Sequence, residues 1–277
     1  GGVMREEALA LAREKADPAQ KLNVLREYVQ ACVLRSLHES EAFLCLSFVG
    51  GTALRFLYNL PRFSEDLDFS LEMKAAYEPI QWMEKVKRDL AVAGFDVSAT
   101  WNERKTVHVA WFRFAGLLQQ AGVSGMAGQK LTIKLEVDTR PPAGAVTATE
   151  IVNRHHLMFA LRHHDLPSLM AGKVHALLVR PYPKGRDWYD LLWYRAQRPP
   201  VEPNRTLLQN ALDQTEGDGT YDAKDWRALV RQRLASLDAA TLRTDVAPFL
   251  ERPVDARWLD IPNLESLLDV QTGGAGD

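Results

Sequence analysis

An α+β fold is predicted from three observations: a half-buried strand pattern at Asp66–Glu72, further strand-like runs up to Asp138, and a helical pattern beyond Ser168. With 46% hydrophobic and 25% charged residues, the chain falls among folded globular proteins rather than disordered or fibrous ones. A formal charge of -2 excludes a uniformly basic, nucleic-acid-coating protein, so any RNA contact must come from a local patch.

The opening of the chain reads as helical, with Glu6–Ala16 as one helix. Asp17-Pro18 supplies an N-cap and first-turn proline for a second, whose apolar stripe is Leu22, Leu25, Val29, Cys32 and Val33. An apolar run to Phe48-Val49 then enters Gly50-Gly51. Thr52–Asn59 has helical character and is ended by Pro61, giving a strand, a glycine turn and a short helix.

Residues 66–72 alternate, with Leu67, Phe69 and Leu71 on one face and Asp66, Asp68, Ser70 and Glu72 on the other. A helix carrying Ile80, Met83 and Leu90 in its stripe stops at Gly94. Strands are expected at Phe95–Trp101, Thr106–Phe114 and Leu131–Asp138, with a mobile loop over Gly116–Gly128 and the mixed segment ending near Ile151. Helices follow at Leu169–Arg180, Asp187–Gln197, Arg205–Leu212 and Asp225–Leu237, with shorter pieces to Leu268. The domain expectation is a mixed-sheet core flanked by helices over 1–165 and a helical C-terminal part over 166–277, with Thr272–Asp277 as a loose tail.

Cys32 and Cys45 sit in apolar runs without metal-type spacing and read as core thiols of a reducing compartment. The longest apolar stretch, around Ala42–Leu57, is broken by Gly50-Gly51-Thr52 and is too short for a membrane span, so a cytoplasmic protein with no membrane partner is expected.

The chemistry starts with Asp66 and Asp68. One residue apart on a strand, both side chains leave the same face and can share a divalent cation. A solvated acidic strand face is the plain alternative, and Gly50-Gly51-Thr52 shifts the balance. At a strand-to-helix turn the missing side chains let a phosphate approach the first helical N–H groups, and the Thr52 hydroxyl adds a donor. Two-metal chemistry asks for a further carboxylate. Lys134, Glu136 and Asp138 share one face of their strand, with Glu136 the first choice, Asp138 in reserve, and an ordinary charged edge face as the rival reading.

Gly50-Gly51-Thr52-Ala53-Leu54-Arg55 followed by Arg62-Phe63-Ser64-Glu65-Asp66-Leu67-Asp68-Phe69 resembles the signature of the AbiEii/AbiGii-type toxin nucleotidyltransferases, a branch of the DNA polymerase β-like superfamily. Lys173-x-x-Ala176-x-x-x-Arg180 and Arg186-Asp187-Trp188-Tyr189-Asp190 resemble its later motifs, in the same order. The resemblance implies nucleotidyl transfer with Mg²⁺ or Mn²⁺ at Asp66 and Asp68, phosphate contacts at Gly51 and Thr52, triphosphate contact by Lys173, and a catalytic or nucleotide-binding role for Asp187 or Asp190. Strand alternation adds Glu136 to the metal set, Gly50, Arg62, Ser64 and Arg180 join the expected nucleotide contacts, and the expected reaction is in-line attack by an acceptor hydroxyl on the α-phosphorus of an NTP. An RNA acceptor such as a tRNA end and a cognate antitoxin complete the expectation. An aminoglycoside-type small-molecule nucleotidyltransferase and a silent nucleotide-binding module are the alternatives, the second opposed by the intact acidic pair.

The later motifs also have readings independent of any family. Lys173 and Arg180, nearly two helical turns apart, share a face that can meet a polyphosphate or merely water. Asp187 and Asp190 share another helix face, with capping as the alternative for Asp187. Arg180, Lys184, Arg186, Arg195, Arg198 and Arg205 form a basic concentration that either steers RNA or is plain helix surface. The pairs His155-His156 and His163-His164 lack zinc-type spacing, and the tryptophans read as core or groove walls.

Overall fold

The computed structural model describes residues 2–126 and 128–270, so the expected tail Thr272–Asp277 lies outside the described residues. The chain divides into two compact units, Gly1–Pro141 with Ala148–His163, and Pro142–Thr147 with His164–Asp277. The fold is α+β, as the alternation and periodicity predict.

In the first unit, α1 (Val3–Arg13) precedes α2 (Pro18–Glu39). Asp17 caps α2 by accepting from the Ala19 N–H at 2.9 Å. From Asn23 to Leu37 nearly every α2 residue is buried, so the helix runs through the core instead of lying on it with one face wet. Strand β1 (Leu46–Val49) feeds α3 (Gly50–Tyr58), which ends with Asn59 in the left-handed region at φ 56°. Then come β2 (Leu67–Leu71), α4 (Pro79–Val92), β3 (Val97–Asn102), β4 (Val107–Phe114), the short α5 (Leu117–Gln120) and β5 (Leu131–Asp138).

The mixed segment does not end near Ile151. A hairpin of β6 (Thr147–Arg154) and β7 (Leu157–His164), turned through His155 and His156 at positive φ, continues the sheet. The strand order is β3-β4-β5-β2-β1-β7-β6. Pairings β1–β7 and β2–β5 are parallel; β1–β2, β3–β4 and β4–β5 are antiparallel. The run Leu157–His164 gains its strand partner from β1, more than a hundred residues earlier, which a local pattern does not reveal.

Two smaller expectations also change. Ile80 is 54% exposed, and the buried stripe of α4 is Trp82, Met83, Val86 and Leu90. Within Gly116–Gly128, expected to be a mobile loop, α5 buries Leu117 and Leu118 and so anchors the described part of the segment. Cys32 and Cys45 are buried free thiols, pushed up by burial to about 12 and about 11. Among the described residues, no helix is long and apolar enough to cross a membrane.

A buried ionic group joins α2, α3 and the β6–β7 turn. Glu27 accepts from Arg55 Nε at 2.7 Å and lies 3.2 Å from His155 Nε2. Burial pushes the Glu27 carboxyl up, but the His155 hydrogen bond and the Arg55 charge and hydrogen bond outweigh it, leaving the group at about 2. Because the folded value lies below the unfolded one, this contribution is present above about 4.5 and is lost as pH falls toward 2. The parent protein is expected to lose about 3 kcal/mol from this group across that window. Glu27→Gln, weaker at neutral pH, is expected to lack this part of the acid sensitivity. Urea titrations at neutral and acid pH check it, and parallel losses in both proteins would refute the assignment.

The second unit is mainly helical: α6 (Leu166–Val179), α7 (Gly185–Ala196), α8 (Arg205–Glu216), α9 (Trp226–Leu234), α10 (Ala239–Val246) and α11 (Ile261–Asp269). Asp165, Asn204, Asp238 and Asp260 each cap a helix here through a side-chain oxygen. Arg195 departs from the expected basic surface. It is fully buried, donating from Nη1 to the Val201 carbonyl at 2.9 Å and from Nε to the Leu267 carbonyl at 3.2 Å, so it joins segments instead of meeting solvent. Of the tryptophans, Trp82, Trp188 and Trp226 are buried, whereas Trp258 is 51% exposed.

Candidate active site

In the first unit, Asp68 sits mid-strand on β2 and Asp66 just before it, because the buried Leu67, Phe69 and Leu71 fix which face turns outward. The parallel register of β2 with β5 places Asp68 opposite Glu136 and Ser70 opposite Asp138. Opposed residues share a sheet face, so Glu136 neighbours Asp68 while Asp138 lies two residues further along. The Asp138 carboxylate has a local task there, accepting from the Arg140 N–H at 2.9 Å.

Val49 pairs with Asp68 across β1 and β2, which brings the glycine turn to the same place. Gly50 has φ +82°, and a Cβ there would stand 2.9 Å from Asp68 Oδ2. Only glycine allows this approach without strain. A Cβ on Gly51 would collide with the Arg62 guanidinium, which is buried against the turn.

Thr52 behaves differently from the sequence expectation of a phosphate donor. It is buried, and its hydroxyl donates to the Asp66 carbonyl and shares a 2.7 Å hydrogen bond with the Ser64 hydroxyl. Thr52 and Ser64 therefore tie the turn to the loop carrying Asp66. Gln30 Nε2 on α2 donates to the Ser64 and Glu65 carbonyls at 2.9 and 3.0 Å, and Arg26 lies 3.6 Å from Glu65. No local signal marked Gln30 or Arg26, since helix and loop are over thirty residues apart.

Lys134 lies on the same face of β5 as Glu136 and bonds it at 2.5 Å. Its ammonium is held above the usual lysine range by the Glu136 hydrogen bond; burial opposes this, and the charges of Glu136, Asp66 and Asp68 reinforce it. Next to it Trp111 on β4 lies opposite Lys134 in register, with the ammonium 5.4 Å from the ring centroid. Lys134 and Trp111, with Arg26, Glu65 and Asp66, line a cleft of about 480 Å³, within the size range of ligand sites. The strand alternation held the signal for Lys134, whereas Trp111 needed the register.

Among the described residues, no three His, Cys, Asp or Glu side chains surround a common cation position; Glu136 is turned to Lys134. The donor set nonetheless fits a hard divalent cation. It consists of carboxylate oxygens, and their charges already favour the ammonium form of Lys134, which bonds Glu136.

The second unit holds the other predicted residues. Lys173 on α6 donates to Asp187 Oδ1 at 2.8 Å and pairs with Asp190 Oδ2 at 2.9 Å; Arg180 reaches Asp187 Oδ2 at 2.6 Å. Asp187 and Asp190, one turn apart on α7, are buried, and the helix-cap position belongs to Lys184. Arg180 lies just past the end of α6 in extended backbone, not on the helix face expected for it, and the four side chains meet as one ionic cluster that locks α6 to α7.

The mixed sheet with an acidic pair beside a glycine turn has the outline of a nucleotidyl-transferring enzyme. A family model described as "Nucleotidyl transferase AbiEii toxin, Type IV TA system" matches residues 32–269. The chain belongs to this family and is a nucleotidyltransferase; the family brings with it a nucleotide substrate, a divalent metal and a cognate antitoxin. Among solved structures, a "putative nucleotidyltransferase from H. pylori" is 18% identical, with a TM-score of 0.49, covering 88% of this chain and 91% of its own. JHP933 from Helicobacter pylori is 17% identical with a TM-score of 0.46, covering 89% and 90%. No curated protein matches the sequence.

Proposed function

We propose that the chain moves a nucleoside monophosphate from an NTP to an RNA hydroxyl, with a tRNA 3′ end as acceptor, acting as a toxin in the cytoplasm. The observation that carries this reading is the convergence of the Gly50-Gly51 turn, Asp68 and Glu136 on one sheet face. Asp66, Asp68 and Glu136 would hold Mg²⁺ or Mn²⁺, with Glu136 preferred to Asp138. When bound, the metal lowers the pKa of the acceptor hydroxyl and offsets charge on the leaving pyrophosphate.

The chain's own residues supply the positioning. Gly50 and Gly51 let phosphate oxygens approach backbone N–H groups at the start of α3, and Arg62 adds positive charge behind Gly51. Thr52 and Ser64 act on the nucleotide through the loop they hold. The family resemblance assigns Lys173 to the triphosphate, with Arg180 as a further expected contact, and Asp187 and Asp190 hold these cations within the second unit. The acceptor oxygen bonds to the α-phosphorus, the α–β bridging bond breaks, pyrophosphate leaves with its electron pair, and the hydroxyl proton goes to solvent. The catalytic core is assigned to 1–165 and the helical domain to 166–277, apart from residues 142–147 and 164–165, which belong to the second compact unit.

Incubation with each of the four α-labelled NTPs, Mg²⁺ and total RNA is expected to label a small-RNA band with one or two of the nucleotides. Label on an aminoglycoside instead would replace the acceptor. NTP binding without pyrophosphate release would overturn the catalytic reading.

A further inference from the structure

The cleft beside Asp66 and the Lys173 cluster belong to the chemistry above. Exposed Ile151 and Met158 on the β6–β7 hairpin have no feature that selects a partner. The segment between α6 and α7 offers more. Residues 180–184 read Arg-Pro-Tyr-Pro-Lys, and Tyr182, held between two prolines, is 80% exposed. Arg233 braces the start of this segment, donating to the Leu177, Leu178 and Arg180 carbonyls at 3.2, 2.9 and 2.7 Å. An aromatic ring in water on a stiffened segment is already ordered for stacking, which lowers the entropic cost of binding.

Beside Tyr182 lies a pocket of about 110 Å³ lined by the apolar Leu177, Trp188 and Leu237, by Lys184, and by Arg180 with its partner Asp187. Its size is below that of the ~150 Å³ cavities that enclose benzene, so it takes the edge of a flat ring whose face stacks outside on Tyr182. Aromatic walls beside cations match a nucleobase joined to a phosphate. Pro181 and Pro183 have no N–H to offer, so the loop cannot cradle a triphosphate as a glycine turn does. One backbone phosphate, by contrast, asks for only one or two cations.

We propose that Tyr182 and this pocket bind one unpaired nucleotide of the RNA acceptor, stacking its base and pairing its phosphate with Lys184. This rests on the RNA-acceptor reading above. The test uses the full-length protein and a fluorescent single-stranded RNA octamer, with affinity followed by anisotropy and NTP affinity by equilibrium dialysis. Tyr182→Ala is expected to weaken RNA binding about tenfold, as loss of one stacked base does, whereas Tyr182→Phe stays within about twofold. Lys184→Ala is expected to flatten the salt dependence by about one phosphate contact. NTP affinity is expected to be unchanged in all three.

Parent-like RNA binding by Tyr182→Ala would overturn the inference and leave the acceptor reading standing. Equal loss of NTP and RNA affinity would move the platform to the NTP and overturn it too. A parent protein with no affinity for RNA would end both readings. Loss of a co-purifying protein partner with RNA binding intact would show that the surface serves protein docking instead.

Discussion

Asp68→Ala is expected to lower nucleotidyl transfer by about a thousandfold or more while the protein stays folded. In the reading proposed here the Asp68 carboxylate stands where charge develops during phosphoryl transfer, and removing one such group typically costs about 3–4 kcal/mol of transition-state stabilisation. Stability is expected to change far less. Asp68 is half-buried, beside Glu136 in register, while the packing of β2 comes from its buried neighbours Leu67 and Phe69. Removing the Asp68 carboxylate therefore leaves the core alone. Label transfer from the preferred NTP and a thermal melt, measured side by side, check this. Full transfer by a folded Asp68→Ala protein would rule out the proposed site.

Lys173→Met is expected to cost about 3–5 kcal/mol of stability as well as activity, because it removes the cation facing two buried carboxylates. Arg180 still reaches Asp187, and Asp190 is fully buried. The double variant Lys173→Met/Asp190→Asn removes one of the two buried carboxylate charges and is expected to recover part of the stability. Activity is not expected to return, since the positive charge assigned to the triphosphate is still missing. Denaturant midpoints and transfer rates for the three proteins separate the effects. If the double variant regained transfer, Lys173 would be a structural residue only.

Local signals carried much of the secondary structure and the core of the candidate site. Alternation marked β2 and β5, Asp17-Pro18 marked the start of α2, and Gly50-Gly51 marked the turn into α3. Failures fell where a residue's state depends on a distant partner. Ile80 satisfies a helical stripe equally well facing water, because the direction of the stripe depends on what packs against α4. Arg195 reads as one more surface cation until carbonyls from other segments surround it. The Thr52 hydroxyl is a free donor on paper and an internal tie in the fold.

By itself the sequence determined many of the elements, though not the β6–β7 hairpin, and the placement of two acids on one strand face, because backbone periodicity alone sets which side chains share a face. Tertiary structure decided which further groups meet them. Strand register selected Glu136 over Asp138 as the neighbour of Asp68, and long-range pairing brought β7 to β1. Register and long-range pairing arise from burying whole faces against remote segments, and that information is spread over the chain instead of residing in any one stretch of it.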